Sequence, residues 1–255
     1  MTKEKEKVFN IILLTPCFCV GAKNKEPHRV PEIRGASIRG MIREWKRLLG
    51  GYPDPIWGGK GGNASKVSIR ISNINNYKES REPILPHKGG TSQLAIFPKT
   101  TFDLVMNRLV GCTEKLWEEA KQDVENWLLL GCLGQRANRA AGSVWNTNWK
   151  FCSINDFFQQ SKILDSFDIY ISEDGFECAS EVREIASDTV NNIKYFGSFN
   201  PRTPSPTKMK VIKIADKFHL LLFSNKRNIL DGAIRELKNK HDPHRWKNLN
   251  FISNL

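Results

Sequence analysis

The sequence predicts an α+β protein whose first half is built on one antiparallel sheet. Short segments rich in apolar and β-branched residues are typical of strands, and two longer segments repeat apolar residues every three or four positions, as amphipathic helices do. Over residues 1–150 these segments follow one another as strand, helix, strand, strand, helix, strand. That order is the ferredoxin-like (RRM-like) βαββαβ arrangement, which RNA-recognition modules also use.

Length and charge limit the class of protein. A chain of 255 residues can bury a substantial core in one large domain or two modest ones. No apolar segment approaches the roughly 18–20 residues of a membrane-spanning helix, and the charged N-terminus does not resemble a secretory signal, so we expect a cytoplasmic protein with no membrane partner. Lys and Arg outnumber Asp and Glu by 39 to 27. This excess favours a polyanionic partner, because cations that neutralise phosphates release condensed counterions.

The first strand and the first helix are predicted with a basic loop between them. Val8–Leu14 is apolar and β-branched, and it ends at Thr15 and Pro16. The polar loop Gly21–Arg34 follows, and Ser37 is the expected N-cap of a helix that ends near Leu49. The apolar residues of this helix share one face. The opposite face carries four cations: Arg39, Arg43, Lys46 and Arg47.

The remaining elements of the first half follow from alternation and capping. Thr113 is expected to cap a long helix that has acidic residues in its first turns, where the helix dipole favours them. Strands are expected before and after this helix. The predicted ranges are Val67–Ile71, Gln93–Phe97 and Thr100–Val105 for strands, Thr113–Leu130 for the helix, and Ser143–Trp145 for the last strand.

A glycine-rich segment, Gly131–Gly142, joins the long helix to the last strand, and we call it the glycine loop. Its glycines permit close backbone approach, and Arg136 and Arg139 place guanidinium groups beside backbone N–H donors. These are the components of a phosphate cradle. The alternative is a structural one, in which glycine ends the helix and the loop is solvated.

The second half is less regular, and we expect a smaller or incomplete α/β domain over residues 151–255. The segment Asn200–Lys208 is rich in proline and predicts a loop or an extended arm. The predicted helices are Ile154–Gln160, Glu177–Ile185 and Asn228–Lys240, and the predicted strands are Phe167–Ile171, Met209–Ile214 and Phe218–Phe223.

The sequence gives little support to catalysis or metal binding. It contains no nucleophile elbow, His-Glu-x-x-His motif or paired-carboxylate motif. The six cysteines are scattered, with only Cys17 and Cys19 close together, so we expect free thiols and neither a metal nor a cofactor. His28 lies in the basic loop and is the one weak candidate for a general acid or base.

Tryptophans could supply stacking surfaces for bases. Trp45, Trp117 and Trp127 fall on apolar helix faces and are expected in the core. The other candidates are expected to be exposed enough to stack: Trp57, Trp145 and Trp149.

Four stretches together resemble the RAMP superfamily of CRISPR effector proteins. Thr15–Ala22 resembles the end of the family's first strand, "T-P-L-F-I-G-G", and Pro31–Trp45 resembles "L-R-x-x-S-I-R-G-x-L-R-x-W". Leu130–Val144 is similar to "G-G-L-G-x-R-x-R-R-G-x-G-S-V", and Pro201–Pro206 to a later "R-x-x-S-P". Within the superfamily the likeness is greatest to the first-subunit family of type III-B (Cmr) complexes.

This resemblance implies one or two ferredoxin-like domains and assembly with other CRISPR effector subunits. It also implies contact with a guide RNA and its complementary target RNA or DNA, where base pairing reads sequence and the protein holds backbones. Two departures matter. Asn138 stands where the family often has Arg, and Ala140 and Ala141 replace Gly and an aromatic residue. The loop Gly21–Gly35 contains no aspartate, unlike subunits of the family that cut target RNA.

The sequence therefore favours a non-catalytic RNA-binding subunit of a type III-like effector in antiviral defence. Three alternatives stay open: a metal-independent endoribonuclease that uses His28 to process guide RNA, a backbone subunit of the same type of complex, and a scaffold that docks an acidic neighbour. The expected RNA-binding residues come from the basic loop, the first helix, the glycine loop and the proline-rich segment: Lys23, Lys25, Arg29, Arg34, Ser37, Arg39, Arg43, Gly134, Arg136, Arg139, Gly142 and Arg202.

Overall fold

The computed structural model describes residues 4–19, 30–59, 64–86, 91–161, 166–188, 193–199, 202–203, 205–240 and 250–253. Within these ranges no helix is long and apolar enough to cross a membrane. The first half contains β1 (Glu6–Leu13), α1 (Gly35–Leu48), α2 (Asp54–Trp57), β2 (Val67–Asn75), β3 (Glu79–Pro83), β4 (Ser92–Ile96), β5 (Thr101–Arg108), α3 (Glu114–Leu130), a 3-10 turn (Ala137–Arg139) and β6 (Val144–Asn146).

The first sheet has the predicted ferredoxin-like topology. Its order is β2-β5-β1-β6, and every neighbouring pair is antiparallel. Phe9, Ile11 and Leu13 alternate along β1 toward the core. The predicted strand Gln93–Phe97 is present as β4, but it pairs with β3 in a separate two-stranded sheet inserted between β2 and β5.

The second half carries a full set of ferredoxin-like elements. It contains α4 (Ile154–Gln160), β7 (Asp168–Ser172), α5 (Ala179–Ser187), α6 (Ile193–Phe196), β8 (Ser198–Phe199), β9 (Arg202–Thr203), β10 (Lys208–Ile214), β11 (Lys217–Ser224), α7 (Arg227–Lys240) and β12 (Phe251–Ser253). The four-stranded sheet runs β10-β11-β7-β12, so β7-α5-β10-β11-α7-β12 repeats the topology of the first half. This half is therefore smaller but not incomplete. A minor difference is that β9 lies inside the predicted loop Asn200–Lys208.

Helix α1 begins three residues earlier than the sequence predicts. Arg34 occupies the N-cap position without a side-chain capping bond, and Ser37 lies in the first turn, so the prediction of Ser37 as N-cap is wrong. A close approach to β2 sets the start, because a Cβ at Gly35 would lie 2.6 Å from the carbonyl oxygen of Ile69. By contrast, the Thr113 hydroxyl accepts a bond from the Leu116 amide at 3.3 Å and caps α3 as predicted.

The two halves share buried contacts. Trp45 of α1 packs against Phe223 of β11, with ring centroids 5.6 Å apart. The fully buried amine of Lys210, on β10, donates to the carbonyls of Leu128 and Gly131 at the end of α3, the latter at 2.7 Å. Lys210 thereby supplies donors to carbonyls that have no partner within the helix. The division of the chain into two domains at residue 150 stays a prediction.

Two buried arginines also cross between the halves. The Arg139 side chain, from the 3-10 turn, donates to the carbonyl of Phe196 at 2.6 Å and lies 4.7 Å from the centre of that ring. The Arg183 side chain, from α5, donates to the carbonyl of Pro83 at 2.8 Å and lies over Phe18. Burial lowers the pKa of each guanidinium to about 10. Each half therefore inserts one arginine side chain into the other half.

Lys210 gives this packing a measurable pH dependence. Burial lowers the pKa of its amine from 10.5 to about 7. Between those values the unfolded chain binds a proton that the folded chain does not, so stability rises with pH. From pH 7 to 8.5 we expect the free energy of unfolding to increase by ~1.5 kcal/mol. Urea titrations at the two pH values measure the increase.

Lys210→Met is the matched control, because methionine keeps most of the apolar stem and does not titrate. The rise in unfolding free energy should be smaller in this variant by that same amount. An equal rise in both proteins would contradict a buried, titrating Lys210.

Candidate nucleic-acid interface

The outer face of the first sheet lacks the features of an RNA-recognition module. On β1 and β5 this face carries paired residues such as Val8 with Val105 and Asn10 with Asp103. None of the described residues on this face of the two central strands is aromatic, whereas RNA-recognition modules stack bases on aromatic side chains there. The Asp103 carboxylate accepts bonds from Asn10 at 2.8 Å and Asn73 at 2.6 Å. These polar side chains are thus already paired within the protein.

The tryptophans expected to stack on bases are largely buried. Trp57 and Trp145 are 1% and 3% exposed, so that prediction is wrong for both, whereas Trp149 is half-buried. Trp145 lies under Phe151 and Phe157, at centroid distances of 5.8 and 6.4 Å. Trp45, Trp117 and Trp127 lie in the core, as predicted.

The glycine loop is folded tightly against the end of the first strand. The amides of Gln135 and Gly142 donate to the carbonyls of Phe18 at 2.9 Å and Pro16 at 2.8 Å. Gly134 and Gly142 have φ of +87° and +64°, and a Cβ at Gly142 would lie 1.9 Å from the Leu133 carbonyl oxygen. Glycine at both positions serves this close backbone packing. Gly134 and Gly142 therefore act in the fold and do not provide a direct contact surface.

The glycine loop is not a cradle of free backbone donors. Six of its N–H groups and that of the following serine donate to protein acceptors: Gly131, Leu133, Gln135, Arg139, Ala141, Gly142 and Ser143. The Thr15 and Ser143 hydroxyls both donate to the carbonyl of Ala140, and the Val211 amide of the second half donates to the Ser143 hydroxyl at 3.0 Å. The loop is a junction between β1, β6 and β10, neither a phosphate cradle nor a solvated connection.

The two arginines of the glycine loop have opposite surroundings. Arg139 is 8% exposed and bonded to Phe196, so the structure places it inside the protein and not at an RNA-binding surface. Arg136 is exposed and makes no ion pair with any residue in the described ranges. Its φ of +60° turns the chain at the start of the 3-10 turn. Only Arg136 can meet a phosphate without unfolding the loop.

Acidic residues neutralise most of the cations of α1. Lys46 is buried and pairs with Asp123 at 2.9 Å and Glu119 at 2.5 Å. Arg43 pairs with Asp54 at 3.2 Å. Two further pairs lie nearby: Arg47 with Glu44 at 3.5 Å and, before the helix, Arg34 with Glu32 at 2.7 Å. Arg39, half-buried, has no acidic partner among the described residues.

Helix α1 and the glycine loop do meet, across a cavity of about 140 Å³. We call it the α1 cavity; Met41, Trp45 and Leu48 line it from α1, Ala137 and Asn138 from the loop, and Lys208 from β10. At about 100° per residue, Arg39 lies roughly half a turn around the helix from Met41 and Leu48. The two segments are therefore neighbours, but neither Arg39 nor Arg136 lines this cavity.

Lys208 is a cation that sequence reasoning missed. Its amine donates to the Asn138 side-chain carbonyl at 3.2 Å, and burial lowers its pKa. The signal was present as a lysine directly before the predicted strand Met209–Ile214. The resemblance to the family identified Asn138 only as a position where the family often has arginine.

Several predicted residues cannot be placed. Lys23, Lys25, His28 and Arg29 lie outside the described residues, and for Arg202 only the backbone strand is described. Ser37 is exposed on the first turn of α1. The one histidine in the described ranges, His219, is buried, with Nδ1 2.8 Å from the Ser172 carbonyl oxygen.

The possible metal ligands in the described part of the chain include the cysteines. All six cysteines are free. Across the described ranges no three residues of the types His, Cys, Asp and Glu are grouped so that they could hold a metal ion.

Comparisons with known proteins agree on one fold. Cmr1 from Pyrococcus furiosus, in its apo form, superimposes with a TM-score of 0.68 at 16% identity, and 99% of each chain is covered. A chain of the type III-B Cmr-beta complex bound to cognate target RNA gives a TM-score of 0.58 at 12% identity, covering 93% of this chain and 99% of that chain. No curated protein matches the sequence.

The sequence itself matches a family model over more than half of its length. The match covers residues 10–145, which include β1, α1 and the glycine loop. Together with the topology of the first sheet, this match gives the assignment: the chain belongs to the RAMP superfamily.

Proposed function

We propose that the chain is a non-catalytic RNA-binding subunit of a CRISPR type III-like effector ribonucleoprotein. It would contact guide RNA or the duplex that guide RNA forms with its target. Membership of the RAMP superfamily and a fold that matches Cmr1 along the whole chain support this proposal. A formal charge of +12 suits a polyanionic partner.

The observation that carries the proposal is the placement of an unpaired cation, Arg136, at the glycine loop. Arg136 is exposed beside Ala137 and Asn138, which line the α1 cavity together with Lys208. Acidic residues neutralise Arg43, Lys46 and Arg47 on α1, and Arg39 lies on the other side of that helix. Among the cations of α1 and the glycine loop, Arg136 is thus the available charge beside the cavity. A guanidinium at this position can bind a phosphate with two hydrogen bonds.

Arg136→Glu is expected to weaken RNA binding about tenfold, because the substitution replaces a phosphate contact by repulsion. The salt dependence of binding should also fall by about one unit of slope, as expected for one lost phosphate contact. Filter binding of a single-stranded RNA at several salt concentrations measures both quantities.

Lys238→Glu is the matched control, since Lys238 is exposed on α7. The RNA affinity of this variant should stay within about twofold of that of the unmodified chain, because the substitution acts on RNA only through long-range electrostatics. Equal losses in the two variants would refute a site at the glycine loop. Arg39→Glu, measured in parallel, reports whether the RNA also passes over the other side of α1.

A further inference from the structure

The α1 cavity combines apolar walls with a polar rim. Met41, Trp45 and Leu48 of α1 face Met209 of β10 and the start of the glycine loop, and these side chains form the walls. Glu44, Asn138 and Lys208 are the polar residues that line it. Sites for small planar ligands have this composition, with a few polar groups placed to fix orientation in a mainly apolar cavity.

The size of the α1 cavity matches an occupant with a single ring. Its volume is about 140 Å³. An engineered protein cavity of ~150 Å³ with apolar walls accepts benzene. One six-membered ring therefore fits.

The polar rim offers both donors and an acceptor. Lys208 uses one of its three N–H bonds on the Asn138 carbonyl, at 3.2 Å, which leaves two of its protons and the Asn138 amino group to donate. Glu44 contributes a carboxylate, and its charge opposes the lowering of the Lys208 pKa by burial. Pyrimidines carry carbonyl oxygens that accept hydrogen bonds and an N–H edge that donates them.

We infer that the α1 cavity binds one pyrimidine base of single-stranded RNA, turned out of its stack, while Arg136 binds an adjacent phosphate. The inference rests on the proposed function and names the part of the RNA that the site takes. The base enters between α1 and the 3-10 turn, packs on Met41 and Trp45, and presents its polar edge to Asn138, Lys208 and Glu44. RNA is commonly recognised in this way, by splayed bases held on apolar side chains.

Fluorescence anisotropy with labelled octauridylate and octaadenylate tests this inference, using the full chain freed of co-purified nucleic acid. Octauridylate should bind about tenfold more tightly, the size expected for one well-held base. Free octaadenylate is more strongly stacked, so a preference in the unmodified chain alone would not identify the cavity. The decisive comparison is between variants.

Met41→Trp fills the cavity without changing any charge and should reduce the uridylate preference to less than about twofold. Val110→Trp is the control for adding an indole, because Val110 is 97% exposed, and it should retain the preference. Asn138→Ala removes a rim donor without adding volume and should also lower the preference, which keeps the test valid if Met41→Trp fails to fold.

The outcomes separate the inference from the proposed function. A uridylate preference that survives Met41→Trp and Asn138→Ala, or equal binding of both RNAs by the unmodified chain, overturns the pyrimidine site. Absence of binding to either RNA overturns the proposed function instead. Ultraviolet crosslinking of an oligonucleotide that contains 4-thiouridine adds a positional readout, and adducts confined to segments other than α1 and the glycine loop would also overturn the site.

Discussion

Gly142→Ala is expected to destabilise the folded chain by more than about 4 kcal/mol, the range reached when a buried group is forced into a clash. The added Cβ would lie 1.9 Å from the Leu133 carbonyl oxygen, and φ at this position is +64°. Neither residue can move away easily, because the Leu133 amide donates to the Gly142 carbonyl at 2.7 Å and the Gly142 amide donates to Pro16. Chemical denaturation, together with the soluble yield, measures the loss.

Gly40→Ala is the matched control for this substitution. Gly40 lies in the interior of α1, and a Cβ there would have no neighbour within 4 Å. Alanine should stabilise the helix by ~0.5–1 kcal/mol, since it loses less backbone entropy than glycine on folding. Unchanged stability of Gly142→Ala would contradict the packing described for the glycine loop.

Asp123→Ala is expected to lower the free energy of unfolding by ~3 kcal/mol. The Asp123 carboxylate accepts bonds from the buried Lys46 amine at 2.9 Å and the Trp57 indole N–H at 2.7 Å, so it ties α1 and α2 to α3. Alanine leaves the indole N–H without an acceptor and the amine with Glu119 alone. Urea denaturation measures the difference.

Two further variants serve as comparisons for the loss of unfolding free energy in Asp123→Ala. Asp123→Asn keeps a carbonyl oxygen for Trp57 and should cost less than Asp123→Ala. Asp216→Ala should lower the free energy of unfolding much less than Asp123→Ala, because Asp216 pairs with Lys213 on the surface with its side chain 94% exposed and only its left-handed backbone (φ +66°) favours aspartate over alanine. Equal losses at Asp123 and Asp216 would contradict the buried network.

Most of the fold could be predicted from the sequence because its strands and helices carry strong periodic patterns. The apolar stripe of α1, the cap of α3 and the alternation in β1 depend on neighbours within a few residues. The short strands β3 and β12 could not be predicted in this way. Glu79–Pro83 is polar and includes a proline, and Phe251–Ser253 has three residues. Each is therefore revealed only by its pairing, β3 with the next strand β4 and β12 with the distant strand β7.

The candidate site was harder to predict because long-range pairing decides which charges remain available. The sequence shows four cations on one side of α1, but Asp123, which neutralises Lys46, lies 77 positions away. Arg136 and Arg139 flank one short turn and look equivalent in the sequence. One is exposed and the other is covered by Phe196, 57 positions away. Resemblance to the RAMP superfamily drew attention to these segments without distinguishing such neighbours.

The opposed insertion of Arg139 and Arg183 has a mechanical consequence. Arg139 extends from the first half to Phe196, and Arg183 extends from the second half to Pro83. Any sliding or rotation of one half against the other would break these two hydrogen bonds, and a buried charged group that loses its partner costs free energy. The two halves should therefore resist shear together.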